Sequence, residues 1–392
     1  MTAAARWIAG LFMIMAALLA IRAEFPRIIH EPGLWDFGSF VASGRAAGEG
    51  LNPYGIYPLT LRVELPGFES WNPNLNPPIS ALLFQAFDVG DPYVTYQVWR
   101  WISLAVYAAA ILLLVGGVGN RVEALVIAIW AFALAGFWDT LFLGQIYLPL
   151  VLAGVAAWLL LERGAGIWAG FLIGIVVAMK PNFLVWPVLL LLSGQHRSAL
   201  AAFVTAGAIS LIPLMIYGPD VYRQWFELVA ADRGRALFLT NGSFAGLAAR
   251  AGVPSFGLVL GFLLLVGLAA WAWWRRPDVL TVSAMALLAS ILASPLGWIH
   301  YTLFLLPVIV MHWNRLPMRI VALLLIVPVP FIIDQLGEPT WVRLTIGSVY
   351  GWALVLCLVI LMAAEWRRIR QDDQRKSATM PLPERQYRPS AS

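Results

Sequence analysis

Charged residues are scarce in this chain. Only 12% of its 392 residues are Asp, Glu, Lys or Arg, whereas 61% are hydrophobic. Soluble domains have about a quarter charged residues and about half apolar ones. The composition therefore excludes an ordinary soluble domain and predicts an all-α polytopic membrane protein.

Cysteine is almost absent too. The single Cys357 lies inside a hydrophobic run, which excludes an intramolecular disulfide and a cysteine metal site. The sequence also lacks the G-x-x-x-x-G-K-[ST] and G-x-S-x-G motifs, a G-x-G-x-x-G after a strand, and any set of His, Asp and Glu at metal-ligand spacing. Nucleotide hydrolysis and serine hydrolase chemistry are unsupported, and neither a cofactor nor a metal is predicted.

Long hydrophobic runs fill most of the chain. A membrane-spanning helix needs about 20 apolar residues. We predict about 12 spans, within a range of 10 to 13, and several are short enough to indicate broken helices of the kind that line a cavity. The predicted helices are 3–23, 93–116, 122–139, 146–161, 165–180, 182–193, 198–217, 255–274, 278–293, 300–312, 318–334 and 345–366.

The polar segments divide into two outer loops and a tail. We predict one integral-membrane domain, 1–366, with long loops at 24–91 and 218–254, and a disordered basic tail at 367–392. Arginines in the short loops and the tail share one side, which the positive-inside rule makes cytoplasmic. The chain is therefore expected in a cell membrane, most simply a bacterial inner membrane, with both long loops outside. Much of the +5 net charge lies in the last 30 residues and suits anionic membrane lipids rather than nucleic acid.

Asp36 is the first candidate for chemistry. It lies among aromatic residues at 35–40, which read WDFGSF, directly ahead of a predicted short helix at 37–48. A carboxylate there can serve as a catalytic base, or it can accept backbone hydrogen bonds as the helix N-cap. The residues alone leave both roles open.

Other polar residues flank the same ends of the predicted spans. A lysine at a helix end usually snorkels to the headgroups, and a lone histidine in an aromatic boundary is usually a satisfied polar contact. These residues nevertheless gather at one interface, whereas a transporter favours polar groups near the membrane midplane and paired repeats. The residues on that face are Asp36, Asn76, Gln145, Lys180, Asn241 and His300, and Asp139 lies near Gln145.

Several short motifs together resemble glycosyltransferase family 87. They are WDFGSF at 35–40, LNPY at 51–54, NPP at 76–78, LGQ at 143–145, AMKP at 178–181, NGS at 241–243 and SPLGWIH at 294–300. That family contains polyprenol-phosphate-mannose-dependent mannosyltransferases that act on phosphatidylinositol mannosides. The resemblance implies a GT-C type fold with a long first non-cytoplasmic loop, an active site on that side and a polyprenyl-phosphate sugar donor.

The resemblance also implies roles for individual residues. Asp36 matches the family's proposed general base, His300 the histidine near the donor phosphate, and Lys180 a lysine that faces the same cavity. In this chain NGS replaces the Asn-Gln-Ser expected at 241–243. Further substrate contacts are expected at Tyr54, Asn76, Gln145 and Asn241.

The resulting functional prediction is a membrane transferase. It would move a hexose, most simply mannose, from a polyprenyl-phosphate donor to a lipid or glycan acceptor by an inverting single displacement. Membrane lipids would be its other partners. The alternatives are a transporter or flippase of a lipid-linked or polyanionic substrate, and a membrane scaffold without catalytic activity.

Overall fold

The chain is mostly helical in the computed structural model, which describes residues 3–30, 33–65, 68–231 and 234–378. Nineteen α-helices occur in that part of the chain. They are α1 (Ala3–His30), α2 (Trp35–Gly48), α3 (Ile79–Gln85), α4 (Pro92–Val115), α5 (Arg121–Ala133), α6 (Ala135–Leu143), α7 (Tyr147–Glu162), α8 (Gly166–Met179), α9 (Val185–Leu192), α10 (His196–Tyr217), α11 (Asp220–Ala231), α12 (Phe244–Arg250), α13 (Pro254–Arg275), α14 (Val279–Leu292), α15 (Leu306–Met311), α16 (Leu316–Leu324), α17 (Val329–Ile333), α18 (Thr340–Leu344) and α19 (Val349–Ala378).

A small antiparallel hairpin interrupts the first loop. Strand β1 (Leu61–Leu65) pairs with β2 (Phe68–Asn72), so that Leu61 lies opposite Asn72. The backbone N–H of Leu61 donates to the hydroxyl of Ser39 in α2, 2.9 Å away. The hairpin is therefore fastened to α2 at the end that carries Asn72. The sequence predicted short helices in this loop and did not predict the hairpin.

Among the described residues, four stretches are long and apolar enough to cross a membrane, which agrees with a polytopic membrane protein. They are α4, α10, α13 and Thr340–Gln371, and α5 with α6 would make a fifth if their 45° bend lies within one span. The predicted spans 93–116, 198–217 and 255–274 are confirmed as long helices by α4, α10 and α13. The predicted total of about 12 spans, like the GT-C fold, stays a prediction.

Proline breaks several of the remaining predicted spans. A proline ring removes a helix hydrogen bond and clashes with the preceding turn. The predicted span 182–193 begins as a 3-10 turn at Pro181–Leu184 before α9, and the span 300–312 begins as the 3-10 turn Ile299–Leu305 before α15. The predicted span 318–334 is two helices, α16 and α17, and Pro328 precedes the second. Broken helices were expected around Pro181, Pro187 and Pro295, which agrees with the spans 182–193 and 300–312, whereas the break within 318–334 was not predicted.

Both ends of the chain differ from the prediction. Helix α1 continues to His30, beyond the predicted end at residue 23. Helix α19 continues to Ala378, so helix replaces the predicted disorder over 367–378. The charged sequence there extends the preceding apolar helix instead of ending it. The rest of the predicted tail, 379–392, lies outside the described residues.

Close approach between α8 and α10 depends on glycine. Gly166, Gly170 and Gly174 recur every fourth residue on α8, the spacing of small-residue helix contacts in membranes. A Cβ on Gly170 would lie 2.3 Å from the carbonyl oxygen of Ser198 and 2.7 Å from Cβ of Ala201. No side chain fits there unless the two helices separate.

We predict that Gly170→Val lowers the thermal unfolding temperature of the protein in nanodiscs. Overpacking of this kind costs about 1–3 kcal/mol. Gly207→Val in α10 is the matched control, because no atom lies within 4 Å of a Cβ added at that position. Equal melting temperatures for the two variants would contradict the close contact.

Candidate active site

Asp36 is buried in the first turn of α2, but it does not cap that helix. The N-cap is Leu34, and no side chain there accepts a backbone hydrogen bond. The Asp36 side chain is 4% exposed and points instead to two side-chain amides. The N-cap alternative is therefore wrong, and the predicted helix at 37–48 begins two residues earlier, at Trp35.

Two amides hold the two oxygens of the Asp36 carboxylate. Asn72 donates to Oδ1 and Gln145 donates to Oδ2. Asn72 is the last residue of β2, whereas Gln145 follows the left-handed Gly144 (φ 68°) that ends α6. A Cβ on Gly144 would lie 2.7 Å from Cβ of Phe37, so this turn approaches α2 as closely as the backbone allows.

The surroundings of Asp36 change its acidity. Burial raises the pKa of its carboxyl from 3.8 to about 6, and the hydrogen bond from Gln145 opposes part of that rise. Nearby Asp139 raises the pKa further, and Arg235 lowers it. A carboxylate with a pKa near the working pH is a better proton acceptor than an exposed aspartate.

Arg235 reaches Asp36 through Asn72. It lies in the 3-10 turn Arg235–Leu237 of the second long loop, where it is buried. One of its terminal nitrogens donates to Oδ1 of Asn72, and the other donates to the carbonyl of Trp71 at 2.6 Å. Sequence reasoning missed Asn72 and did not separate Arg235 from the other outer-loop arginines, because only the fold brings these loops together.

Lys180 is buried inside the protein and does not snorkel to the headgroups. It follows the last residue of α8 and is 6% exposed. Its ammonium group donates to Oδ1 of Asn76 and to the hydroxyl of Tyr147, which is 2.6 Å away. The same nitrogen lies 4.0 Å from the centre of the Tyr147 ring, within cation–π range. Burial lowers the pKa of Lys180, and an anion bound beside its amine would stabilise the ammonium form.

His300 lies on the other face of Tyr147. Their rings stack with centroids 5.0 Å apart and an interplanar angle of 21°. Nδ1 of His300 lies 3.3 Å from the hydroxyl of Thr140 and 3.5 Å from Oδ2 of Asp139. The Thr140 hydroxyl donates its only proton to the carbonyl of Gly136 at 2.6 Å, so Nδ1 must donate in this contact. The geometry thus assigns a proton to Nδ1.

Asp139 belongs to a buried chain of charges that sequence reasoning did not assemble. Arg27 of α1 contacts Oδ1 of Asp139 at 3.3 Å and Oε2 of Glu24 at 2.8 Å. The other Glu24 oxygen accepts from the backbone N–H of Val329, at the start of α17, at 2.6 Å. These contacts join α1, α6 and α17 next to His300, whose Nδ1 lies 3.5 Å from Asp139.

The remaining predicted contacts hold loops together. The hydroxyl of Tyr54 donates to the carbonyl of Asn76 at 3.2 Å. The amide of Asn241 bridges its own loop to the segment before His300: Oδ1 accepts from Gly297 N–H at 2.8 Å and Nδ2 donates to the Pro295 carbonyl at 3.1 Å. Substrate contact by Tyr54 or Asn241 stays a prediction.

Gln145 differs from these residues because one of its polar atoms is free. Within the described part of the chain, its buried Oε1 has no hydrogen-bond partner, although Nε2 binds Asp36. A buried acceptor without a partner costs free energy unless a ligand or water supplies a donor. A substrate hydroxyl beside Asp36 would meet that need.

An apolar groove of about 560 Å³ lies beside the Lys180 end of the site. Its walls come from α3, α4, α7, α8 and α10, and Met179 directly precedes Lys180. The groove is lined by Ile79, Leu82, Leu83, Ala86, Trp99, Ile146, Pro149, Leu150, Ile175, Met179 and Ile209. A hydrocarbon chain fits a surface of this composition. No group of three His, Cys, Asp or Glu side chains among the described residues could hold a metal ion.

The profile of glycosyltransferase family 87 matches residues 74–295, which is more than half of the chain. The chain belongs to glycosyltransferase family 87. This result confirms the resemblance found in the sequence motifs. The matched region includes Asn76, Gln145, Lys180 and Asn241, whereas Asp36 and His300 lie outside it.

Two mycobacterial relatives carry the name polyprenol-phosphate-mannose-dependent alpha-(1-2)-phosphatidylinositol mannoside mannosyltransferase. The protein of Mycolicibacterium smegmatis is 28% identical over 228 residues, which cover 50% of this chain and 52% of the relative. The protein of Mycobacterium tuberculosis is 27% identical over 214 residues, which cover 49% of this chain and 50% of the relative. The match thus spans about half the length of each relative. No solved structure matches this chain.

We predict that Arg27→Met strongly destabilises the protein. It would leave Glu24 and Asp139 as buried carboxylates without their shared cation, a change that costs about 3–5 kcal/mol. Arg100→Met is the control, because Arg100 bonds to the carbonyl of Ile28 and to an amide oxygen, not to a carboxylate. In nanodiscs, the melting temperature of Arg27→Met should lie well below that of Arg100→Met. The double variant Arg27→Met/Glu24→Gln should melt at a higher temperature than Arg27→Met alone. Equal melting temperatures for the two arginine variants would contradict the ion chain.

Proposed function

We propose that this protein is a membrane glycosyltransferase that moves mannose from a polyprenyl-phosphate donor to a lipid or glycan acceptor. The observation that carries the proposal is the buried Asp36 carboxylate, held at both oxygens by amide donors and neighboured by the buried cation Lys180. Membership of glycosyltransferase family 87 and the names of the two relatives support the reaction class. They give no support to the transporter alternative.

Asp36 acts as the general base in this scheme. Its carboxylate takes the proton of an acceptor hydroxyl while that oxygen attacks the anomeric carbon of the donor sugar. The bond from that carbon to the phosphate oxygen breaks, and polyprenyl phosphate leaves with the bonding electrons. A single displacement of this kind inverts the anomeric configuration. Oε1 of Gln145 is placed to accept from a sugar or acceptor hydroxyl beside Asp36.

Lys180 and His300 stabilise the leaving phosphate. Lys180 supplies a desolvated ammonium group already oriented by Asn76 and Tyr147. Because Nδ1 of His300 donates towards Thr140, Nε2 can donate to phosphate only when the imidazole is protonated. Burial lowers the pKa of His300, and Asp139, 3.5 Å from Nδ1, opposes part of that change. The charge of a bound phosphate would also favour the imidazolium. The apolar groove that begins at Met179 would take the first isoprene units of the donor.

The proposal extends to topology. The site residues lie at the ends of four helices: Arg27 near the end of α1, Gln145 after α6, Tyr147 at the start of α7 and Lys180 after α8. This pattern suits a GT-C type fold of about 12 spans with its site at one membrane face. The arginine distribution makes that face non-cytoplasmic, in a cell membrane. Phosphatidylinositol mannoside, named in the relatives, is the first acceptor to test.

We predict that Asp36→Asn abolishes most of the transfer of labelled mannose from polyprenyl phosphate to phosphatidylinositol mannoside in nanodiscs. Loss of general base catalysis costs about 10²- to 10⁴-fold in rate. Asp88→Asn is the matched control, because Asp88 pairs with Arg45 at the protein surface. Transfer at the wild-type rate by Asp36→Asn would refute the assigned base. If a panel of lipid acceptors receives no label from the wild type, the donor assignment is wrong.

We predict a fall in kcat/KM on the acid side with a midpoint near pH 6. The base works only when ionised, and burial raises the pKa of Asp36 from 3.8 to about 6. Activity is therefore complete well above pH 6 and falls about tenfold per unit below it. The measurement is the pH dependence of kcat/KM for the acceptor, taken with saturating donor. A midpoint near 4 would show that the reactive carboxyl is not the buried one.

A further inference from the structure

The contacts between Arg235, Asn72 and Asp36 run in one fixed direction. A guanidinium group only donates hydrogen bonds, so the oxygen of Asn72 must face Arg235. An ionised carboxylate only accepts, so the nitrogen of Asn72 must face Asp36. The amide therefore cannot rotate by half a turn without losing both contacts. Arg235 of the second long loop fixes the orientation of the amide, and the amide in turn donates to Asp36 in α2.

The amide also keeps two opposite charges apart. A cation in direct contact with a carboxylate lowers the pKa of that carboxylate by about one to three, which makes it a weaker base. Arg235 contacts the Asn72 oxygen instead, and its other terminal nitrogen is held by the carbonyl of Trp71. Asp36 thus gains an oriented hydrogen bond from this side while the guanidinium stays one amide away.

We propose that Asn72 is a positioning residue, which fixes the Asp36 carboxylate for proton transfer and prevents Arg235 from pairing with it directly. The inference rests on the proposed role of Asp36 as the base. It adds a residue on the hairpin and a residue on the second long loop to the catalytic machinery. Neither residue was predicted from the sequence as part of the site.

Asn72 is not the only group that acts on Asp36. Gln145 donates to the other carboxylate oxygen. The charged or titratable side chains that interact electrostatically with Asp36 come from the second long loop, α6, the segment after α8, α4 and α7. Among the described residues they are Arg235, Asp139, Lys180, Tyr96 and Tyr147. A test must therefore change Asn72 and leave these groups in place.

Asn72→Asp tests the proposal with a change of one charge. The new carboxylate would take Arg235 as its partner and place a like charge beside Asp36, which makes Asp36 harder to ionise. We expect the acid-side midpoint of kcat/KM to rise by about one pH unit, which is about a fivefold loss at pH 6 and approaches about a tenfold loss at lower pH. Ser70→Asp is the control, because it adds the same charge two residues earlier on the exposed part of β2. Its midpoint should stay within a few tenths of a unit.

A second readout needs no substrate. Infrared difference spectra recorded against pH report the carboxyl band of Asp36, which is assigned by its loss in Asp36→Asn. We expect the titration midpoint of that band to rise in Asn72→Asp. We expect it to rise also in Asn72→Leu, which removes the hydrogen bond to Asp36 without adding charge and keeps a side chain of similar size between Arg235 and Asp36. Melting temperatures near the wild-type value would show that the variants fold.

The outcomes separate this inference from the proposed function. Equal band titrations in the wild type, Asn72→Asp and Asn72→Leu would overturn the role of Asn72. A loss of activity with an unchanged midpoint would reduce Asn72 to a merely structural residue and would also overturn it. A shifted band in protein without any mannose transfer would support the placement of Asn72 and contradict the proposed function.

Discussion

A buried carboxylate needs hydrogen-bond donors to stay ionised, and the hydrogen bonds to Asp36 govern the arrangement of this site. A charge is costly to bury unless hydrogen bonds compensate it. Asn72 and Gln145 supply the two donors from separate parts of the chain. The hairpin carries Asn72, and the left-handed turn at Gly144 precedes Gln145. Arg235, from the second long loop, orients the amide of Asn72.

Tyr147 joins Lys180 to His300 in the second half of the site. Its hydroxyl accepts from Lys180 on one side, and its ring stacks on His300 on the other. Behind His300, Asp139 and Arg27 join that half to α1 and α17. In the proposed reaction, Asp36 would activate the acceptor hydroxyl, and Lys180 and His300 would stabilise the leaving phosphate. The apolar groove beside Met179 would take the hydrocarbon chain of the donor.

Sequence reasoning found the features that are local in the chain. Apolar runs predicted α4, α10 and α13 closely, and prolines indicated where helices break. The aromatic setting of Asp36 singled it out, but the residues alone could not decide between base and N-cap, since that depends on partners 36 and 109 residues away. The same limit hid Asn72, Arg235 and the ion chain through Arg27. The hairpin was missed because its two strands have only five residues each.

The most direct test of the central claim is the structure of Asp36→Asn in nanodiscs with polyprenyl-phosphate mannose bound. The substitution is expected to stop turnover and leave the donor in place. The account predicts the phosphate within hydrogen-bonding distance of Lys180, the polyprenyl chain in the groove beside Met179, and the anomeric carbon facing residue 36. A donor whose phosphate lies away from Lys180, or whose sugar faces away from residue 36, would contradict it.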